Sequence, residues 1–195
     1  MSGTGTLRKL AQRATVEREA ALELCELCGA PISASHSHVL QLASRDVKCA
    51  CRPCGLLFER SDRMRLIPTD VYAADAAEVP WEELRLPVDI AFFFTVAGEW
   101  KAYYPSPMGP TECLLPVSLS VPLEDEVQAL LVNRVRGAHR QWIVGIDVCY
   151  ELVGLIRMHW RGFTGGTDVW RELDKFWDGL DRRRRGWPNS RTRPM

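Results

Sequence analysis

Apolar positions along the chain change their period several times, and each period predicts a different kind of element. Residues 7–22 carry apolar side chains at helical spacing, which predicts an amphipathic helix. Residues 88–96 are almost continuously apolar, which predicts a central strand covered on both faces. We expect residues 101–104 to pair with this strand, and residues 129–132 and 141–146 to form a second antiparallel hairpin.

The last third of the sequence predicts two helices. Residues 148–160 are apolar almost all round, which indicates a helix through the core, with Asp147 as its N-cap. After a glycine-containing break at 162–166, residues 169–180 carry a one-sided apolar stripe. Residues 104–110 contain three prolines and predict an irregular loop, because proline can neither continue a helix nor donate to a strand ladder.

Four of the seven cysteines stand in two C-x-x-C pairs, and a glycine follows each pair. The pairs are Cys25 with Cys28 and Cys51 with Cys54. A C-x-x-C turn directs two thiolates at one ion, and two such turns side by side build a tetrahedral S4 site. The spacing therefore predicts a zinc ribbon or a rubredoxin-like knuckle pair. Structural Zn²⁺ is the favoured occupant, and iron, which would carry one electron, is the alternative.

These patterns together predict an α+β fold, in which an N-terminal helix and the knuckle pair are fused to an antiparallel-sheet domain that ends in two helices. Between the knuckles, residues 38–42 and 47–49 predict a short hairpin, which residues 56–58 are expected to extend. The predicted divisions are an N-terminal tail and helix (1–24), a zinc ribbon (25–60), an α+β domain (61–181) and a basic disordered tail (182–195).

Two further groups of residues have possible binding roles. His36 and His38 would share one face of a strand, and Cys49 is in phase with Cys51, so a second metal site is conceivable. The favoured interpretation is that these are ordinary hairpin residues. The segment that begins with Tyr104 and Pro105 and ends at Glu112 is a candidate recognition loop for a protein partner, or a packed proline-rich turn.

Composition narrows the classes of function. The 195 residues include 25 basic and 25 acidic side chains, and this balance gives no support for nucleic-acid or membrane binding. Cysteines at metal-binding spacing fit a reducing compartment, and no apolar run approaches about 20 residues, so we expect a cytoplasmic protein. Phosphate-binding, nucleophile-elbow and zinc-protease motifs are absent from the sequence, so a non-enzymatic role is favoured.

Four longer motifs carry a resemblance to a known family. They are C-E-x-C…H-x-H…C-x-C-x-x-C at residues 25–54, a phenylalanine-rich strand at 91–94, Y-P-S-P-x-G-x-T-E at 104–112, and I-D-x-C-Y-E-L-V-G-x-I-R-x-H-W-R-G-F-x-G-G at 146–166. Over residues 22–178 the sequence resembles an uncharacterised, mostly actinobacterial family of zinc-ribbon proteins. Pro110 and Cys113 depart from the commoner residues of the loop motif.

The resemblance implies a genomic setting, because genes of this family tend to accompany those of oxygen-tolerant, hydrogen-scavenging nickel–iron hydrogenases. It therefore implies an accessory protein of hydrogenase maturation or assembly, with a hydrogenase subunit or maturation factor as its protein partner. A rubredoxin-like one-electron carrier that serves a hydrogenase is the alternative. A zinc-ribbon regulator that binds nucleic acid is a weaker alternative, because it needs a basic face.

Overall fold

The structure, a computed structural model, describes residues 23–59, 61–162 and 164–186. The predicted helix at 7–22 and residues 187–195 of the predicted tail lie outside the described residues. Strands in the described part are β1 Ser37–Gln41, β2 Asp46–Ala50, β3 Met64–Leu66, β4 Tyr72–Ala73, β5 Ile90–Val96, β6 Glu99–Ser106, β7 Gly109–Cys113, β8 Gln128–Asn133 and β9 Arg140–Gly145. Helices are α1 Arg52–Leu57, α2 Trp81–Leu84, α3 Ile146–His159 and α4 Gly166–Arg183.

The strands form two antiparallel sheets, and two helices follow the larger one, which confirms the predicted α+β class. The smaller sheet has the order β2-β1-β3. Its third strand, β3, pairs with β1 through Val39 and Leu66. The predicted division between residues 60 and 61 therefore falls before a strand that belongs to the cysteine-containing sheet.

The prediction that residues 56–58 extend this sheet is wrong. Residues 52–57 instead form the short helix α1, which begins directly after Cys51, the first cysteine of the second C-x-x-C pair. Pro53 stands in the first turn of α1, where a backbone N–H has no intrahelical acceptor and its loss costs nothing.

The larger sheet has six strands in the order β4-β9-β8-β5-β6-β7, with the phenylalanine-rich β5 inside it as predicted. Alternation along β5 sends Phe92 and Phe94 to one face and Phe93 to the other. The first face packs against α3 and α4, and the second is covered by α2 and irregular segments around Leu119. Both faces of β5 are therefore buried, which explains why its sequence is apolar without alternation.

The two predicted C-terminal helices are present, but the predicted cap is wrong. Gly145 occupies the N-cap of α3, and Asp147 lies inside the first turn. The buried side of α3 carries Ile146, Cys149, Leu152, Val153 and Ile156. Helix α4 buries Val169, Leu173, Phe176, Trp177 and Leu180 along one side, as its apolar stripe predicted.

The three prolines near residue 105 do not make an irregular loop. Strands β6 and β7 form a hairpin in which Pro105 lies opposite Pro110. In an opposed pair without mutual hydrogen bonds, both nitrogens point away from the partner strand, so neither proline removes a bond from this ladder. Strand β7 is at the sheet edge, and Pro105 lies beyond the residues of β6 that pair with β5.

The predicted basic tail begins as ordered structure. Arg182 and Arg183 complete α4. Arg185 then forms an isolated parallel bridge with Tyr72, and its Nη1 lies 3.0 Å from Asp70 Oδ1. Backbone hydrogen bonds from Arg185 N to Val71 O and from Ala73 N to Arg185 O extend the edge of the larger sheet at β4.

The small sheet packs directly on the larger domain. Leu40 of β1 and Ile67, just after β3, are buried in the same apolar cluster as Phe92 and α3. Arg45 pairs with Glu126 and lies over the Phe94 ring, 5.0 Å from its centroid. The cysteine-containing sheet therefore contributes to the main core.

In the part of the chain that the structure describes, no helix is both long enough and apolar enough to cross a membrane.

Candidate metal centre

The four cysteines of the C-x-x-C pairs converge at one end of the small sheet. Cys25 and Cys28 bracket a turn before β1, Cys51 follows β2 as the N-cap of α1, and Cys54 lies in the first turn of α1. Their sulfur atoms all lie within 4.8 Å of one another, and the Cys28 and Cys51 sulfurs are 3.7 Å apart. Sulfurs around tetrahedral zinc, with Zn–S bonds of about 2.3 Å, are roughly 3.8 Å apart. The group therefore has the donor set and the spacing to hold a metal ion.

The two halves of this centre differ in backbone structure. After the first pair, Gly29 adopts a left-handed conformation with φ +73°, which glycine adopts without a Cβ clash. Gly55, after the second pair, is a helical residue packed against the small sheet: a Cβ there would lie 3.2 Å from Leu66 Cδ1 and 3.3 Å from Ser37 Cβ. The second glycine thus lies in close packing against the small sheet, and not in a left-handed conformation like that of Gly29.

Backbone N–H groups aimed at the sulfurs favour ionisation of one thiol. A hydrogen bond from the Cys51 backbone N–H is the main reason that the pKa of Cys25 is lowered to about 6. Hydrogen bonds from the backbone N–H groups of Leu27 and Cys28 lower this pKa further. Interaction with the Cys51 side chain, together with burial, raises the pKa of Cys54 to about 12. Four thiolates so close together repel one another, so a cation is needed for all four to ionise.

A second group of ligand atoms lies beside the first. One ring nitrogen of His36, one of His38 and the Cys49 sulfur all lie within 4.8 Å of one another. The His38 ring meets the His36 ring edge to face, with centroids 4.8 Å apart. Hydrogen bonding to Asp147 raises the pKa of His38, and burial raises the pKa of Cys49. The structure therefore brings together the three residues that the sequence analysis named as a conceivable second site.

Sequence reasoning missed two carboxylates that position these residues. Asp147 Oδ2 of α3 lies 2.7 Å from His38 Nδ1. Glu26, inside the first C-x-x-C pair, accepts a 2.6 Å hydrogen bond from the Cys49 backbone N–H. Asp147 and His38 are 109 residues apart, so no local pattern could have indicated their contact. The position of Glu26 between two candidate ligands, Cys25 and Cys28, was by contrast a usable signal.

The residues of the predicted recognition loop lie on the β6–β7 hairpin. Tyr104 is half-buried opposite Thr111, and Pro105 is buried. Glu112 is exposed, accepts a 3.2 Å hydrogen bond from the Tyr103 hydroxyl and lies 3.8 Å from Lys101 Nζ. The most exposed apolar side chain here is at the hairpin tip, where Met108 is 90% exposed.

The fold and this centre define an α+β protein with a four-cysteine group able to hold a metal ion. Residues 24–184 match DUF5947, a family of unknown function, and the chain belongs to that family. Comparison with curated proteins and with solved structures gives no match.

Proposed function

We propose that the four-cysteine centre holds structural Zn²⁺ and that the protein is a non-enzymatic accessory protein that acts through protein–protein contacts. The convergence of four thiolate donors from two separate segments carries this proposal. A closed S4 site has no coordination position for water or substrate, so its role is structural: it holds two segments of the polypeptide together. The ion would tie the turn before β1 to the start of α1.

The proposed setting is nickel–iron hydrogenase maturation or assembly in the cytoplasm. Its support is the resemblance of the ribbon, hairpin and α3 motifs to a family whose genes tend to accompany hydrogenase genes. An exposed apolar side chain at the tip of the β6–β7 hairpin, Met108, is a suitable contact for a hydrogenase subunit or maturation factor.

Metal content and visible spectrum test the nature of the centre. The chain is purified without a tag, under anaerobic conditions, from cells supplied with both zinc and iron. Zinc without a visible band from the S4 centre is expected. Iron with a red, reducible thiolate-to-iron band would contradict the zinc proposal.

That second outcome would support a rubredoxin-like electron carrier that serves a hydrogenase. The observation in its favour is the position of the centre near the surface: Cys28 is exposed, and Cys51 and Cys54 are half-buried. A one-electron centre needs such proximity to a redox partner, whereas a purely structural ion does not.

The hydrogenase setting is tested by deleting the gene and measuring hydrogenase activity and the nickel content of the enzyme. Loss of both, restored by the wild-type gene, is expected. Unchanged activity and nickel content after deletion would contradict the proposed setting.

The contact surface is tested by complementation with Met108→Glu, and the matched control is Met158→Glu at a 69%-exposed position on α3. Failure of the first variant with success of the second is expected, and equal complementation by both would exclude the hairpin tip as a contact.

A further inference from the structure

We propose that His36, His38 and Cys49 form a second metal site, separate from the four-cysteine centre, for a borderline transition-metal ion such as Zn²⁺. The first observation is geometric. In the β1–β2 ladder His38 lies directly opposite Cys49, and His36 precedes His38 by two residues. Residues two apart along an extended chain share a face, so the ligand atoms of all three meet within 4.8 Å.

Both imidazoles are held in the way that metal-binding histidines are held. The Nδ1 atom of His36 lies 2.8 Å from the Ser33 carbonyl oxygen, and that of His38 lies 2.7 Å from the Asp147 carboxylate. Metal-bound histidines almost always donate their other ring N–H to a carbonyl or carboxylate, which fixes the ring orientation.

These hydrogen bonds also decide which nitrogen can bind an ion. A carbonyl oxygen only accepts, so Nδ1 of His36 must carry the proton and donate it. The neutral ring then has its lone pair on Nε2. The carboxylate of Asp147 selects the same tautomer in neutral His38. Each histidine is thus prepared to bind a cation through Nε2.

The Nε2 atom of His36 has no hydrogen-bond partner among the described residues, although it is buried. The His36 side chain is only 9% exposed. A buried polar atom without a partner costs free energy, and such atoms are few in folded proteins. An ion bound by Nε2 of both histidines and by the Cys49 sulfur would satisfy this atom and account for the convergence of the three side chains.

The donor set indicates the class of metal and its chemistry. Two imidazole nitrogens and one thiolate suit Zn²⁺ and its neighbours in the first transition row better than Ca²⁺ or Mg²⁺. Among the described residues this group contains three ligands. Three protein ligands leave one position of a tetrahedral ion for water or an exchangeable ligand, whereas the four-cysteine centre is closed. The second ion would therefore exchange more readily than the first.

The number of zinc ions bound per chain tests this site. The full chain is equilibrated with excess Zn²⁺, desalted, and analysed for metal and protein. Two ions per chain are expected for the wild type, and one for Cys49→Ala and for His36→Gln. Cys113→Ser, which changes a half-buried cysteine outside both groups, is the matched control and should keep two.

Co²⁺ shows which site each variant retains. Cys49→Ala and His36→Gln should keep the intense thiolate-to-cobalt band of the S4 centre and lose the weaker contribution of the site with one thiolate. Asp147→Asn keeps the ligands but replaces the carboxylate behind His38, so it should weaken binding of the second ion about 10- to 100-fold. It serves as the test if a ligand variant fails to fold.

One zinc ion per wild-type chain at saturation would overturn the second site. So would retention of two ions by folded Cys49→Ala and His36→Gln. Neither result would affect the proposal of structural zinc in the four-cysteine centre, because that proposal depends on an ion that these variants should retain.

Discussion

Trp142 shows how one polar residue allows a large side chain to be buried completely. Its ring lies in β9 with no exposed surface and stacks on Trp177, with ring centroids 5.4 Å apart. Its indole N–H donates to Asp181 Oδ1 at 3.0 Å, and Arg140 Nη1 donates to the other carboxylate oxygen at the same distance. Asp181 of α4 therefore satisfies a buried donor and a cation at once.

Asp181→Ala should lower the free energy of unfolding by about 1–3 kcal/mol, because it leaves the buried indole N–H without an acceptor. Urea unfolding followed by tryptophan fluorescence measures the change. Asp178→Ala, on an exposed position of the same helix, is the control and should change stability by less than about 0.5 kcal/mol. Equal effects of the two substitutions would show that the Trp142–Asp181 hydrogen bond contributes nothing measurable.

At the scale of elements, the junction between β9 and α3 leaves no room for a side chain. A Cβ on Gly145 would lie 2.5 Å from the Pro68 carbonyl oxygen and 2.7 Å from Ile67 Cγ2. Both are well inside van der Waals contact, and the carbonyl belongs to the backbone that follows β3. Close approach of this segment to α3 thus requires glycine at position 145.

Gly145→Ala should destabilise the fold by about 1–3 kcal/mol, the usual cost of forcing atoms into a packed interior. Gly154→Ala is the matched control, since a Cβ at that position has no heavy atom within 4 Å apart from the backbone of α3 itself and the neighbouring residues. Alanine favours a helix by roughly 0.5–1 kcal/mol over glycine, so the control should stabilise. Thermal unfolding measures the change in stability of each variant, and a stabilising Gly145→Ala would contradict the packing argument.

Predictions from periodicity were accurate where burial dictates the pattern. The sequence predicted β5, the β8–β9 hairpin and the helices α3 and α4, because the spacing of their apolar residues follows the sides that these elements bury in the core. The pairing of residues 101–104 with β5 was predicted correctly, but the hairpin of β6 with β7 was missed, because proline prohibits a ladder position only where its N–H would be used. Helix α1 was missed because its six residues are too few to show a helical period.

The candidate ligands were predictable for a different reason. Spacing within each C-x-x-C pair, and the two-residue steps from His36 to His38 and from Cys49 to Cys51, are local in sequence and do not depend on how the rest of the chain packs. The contact between His38 and Asp147 joins β1 to α3, and only the tertiary fold creates it. Single-sequence patterns therefore identified possible ligands but not the groups that orient them.

At the scale of the whole molecule, the small sheet and the main core are one packing unit. Leu40 is fully buried among residues of the larger sheet and α3, and Arg65 Nη1 donates to the Asp125 carbonyl oxygen at 3.0 Å. Loss of the small sheet would expose part of the main core. Metal binding should therefore stabilise the complete fold and not only its N-terminal part.

Removal of zinc by a strong chelator should lower the midpoint of the entire thermal transition. A ligand a thousandfold above its dissociation constant stabilises the native state by about 4 kcal/mol, which is on the order of 10 °C for a chain of this size. Far-ultraviolet circular dichroism follows the helices, and tryptophan fluorescence follows the seven indole rings, including the buried Trp142 and Trp177. Both signals should therefore shift together. Restoring Zn²⁺ should reverse the shift. An unchanged midpoint in the metal-free protein would contradict the coupling between metal binding and the stability of the complete fold.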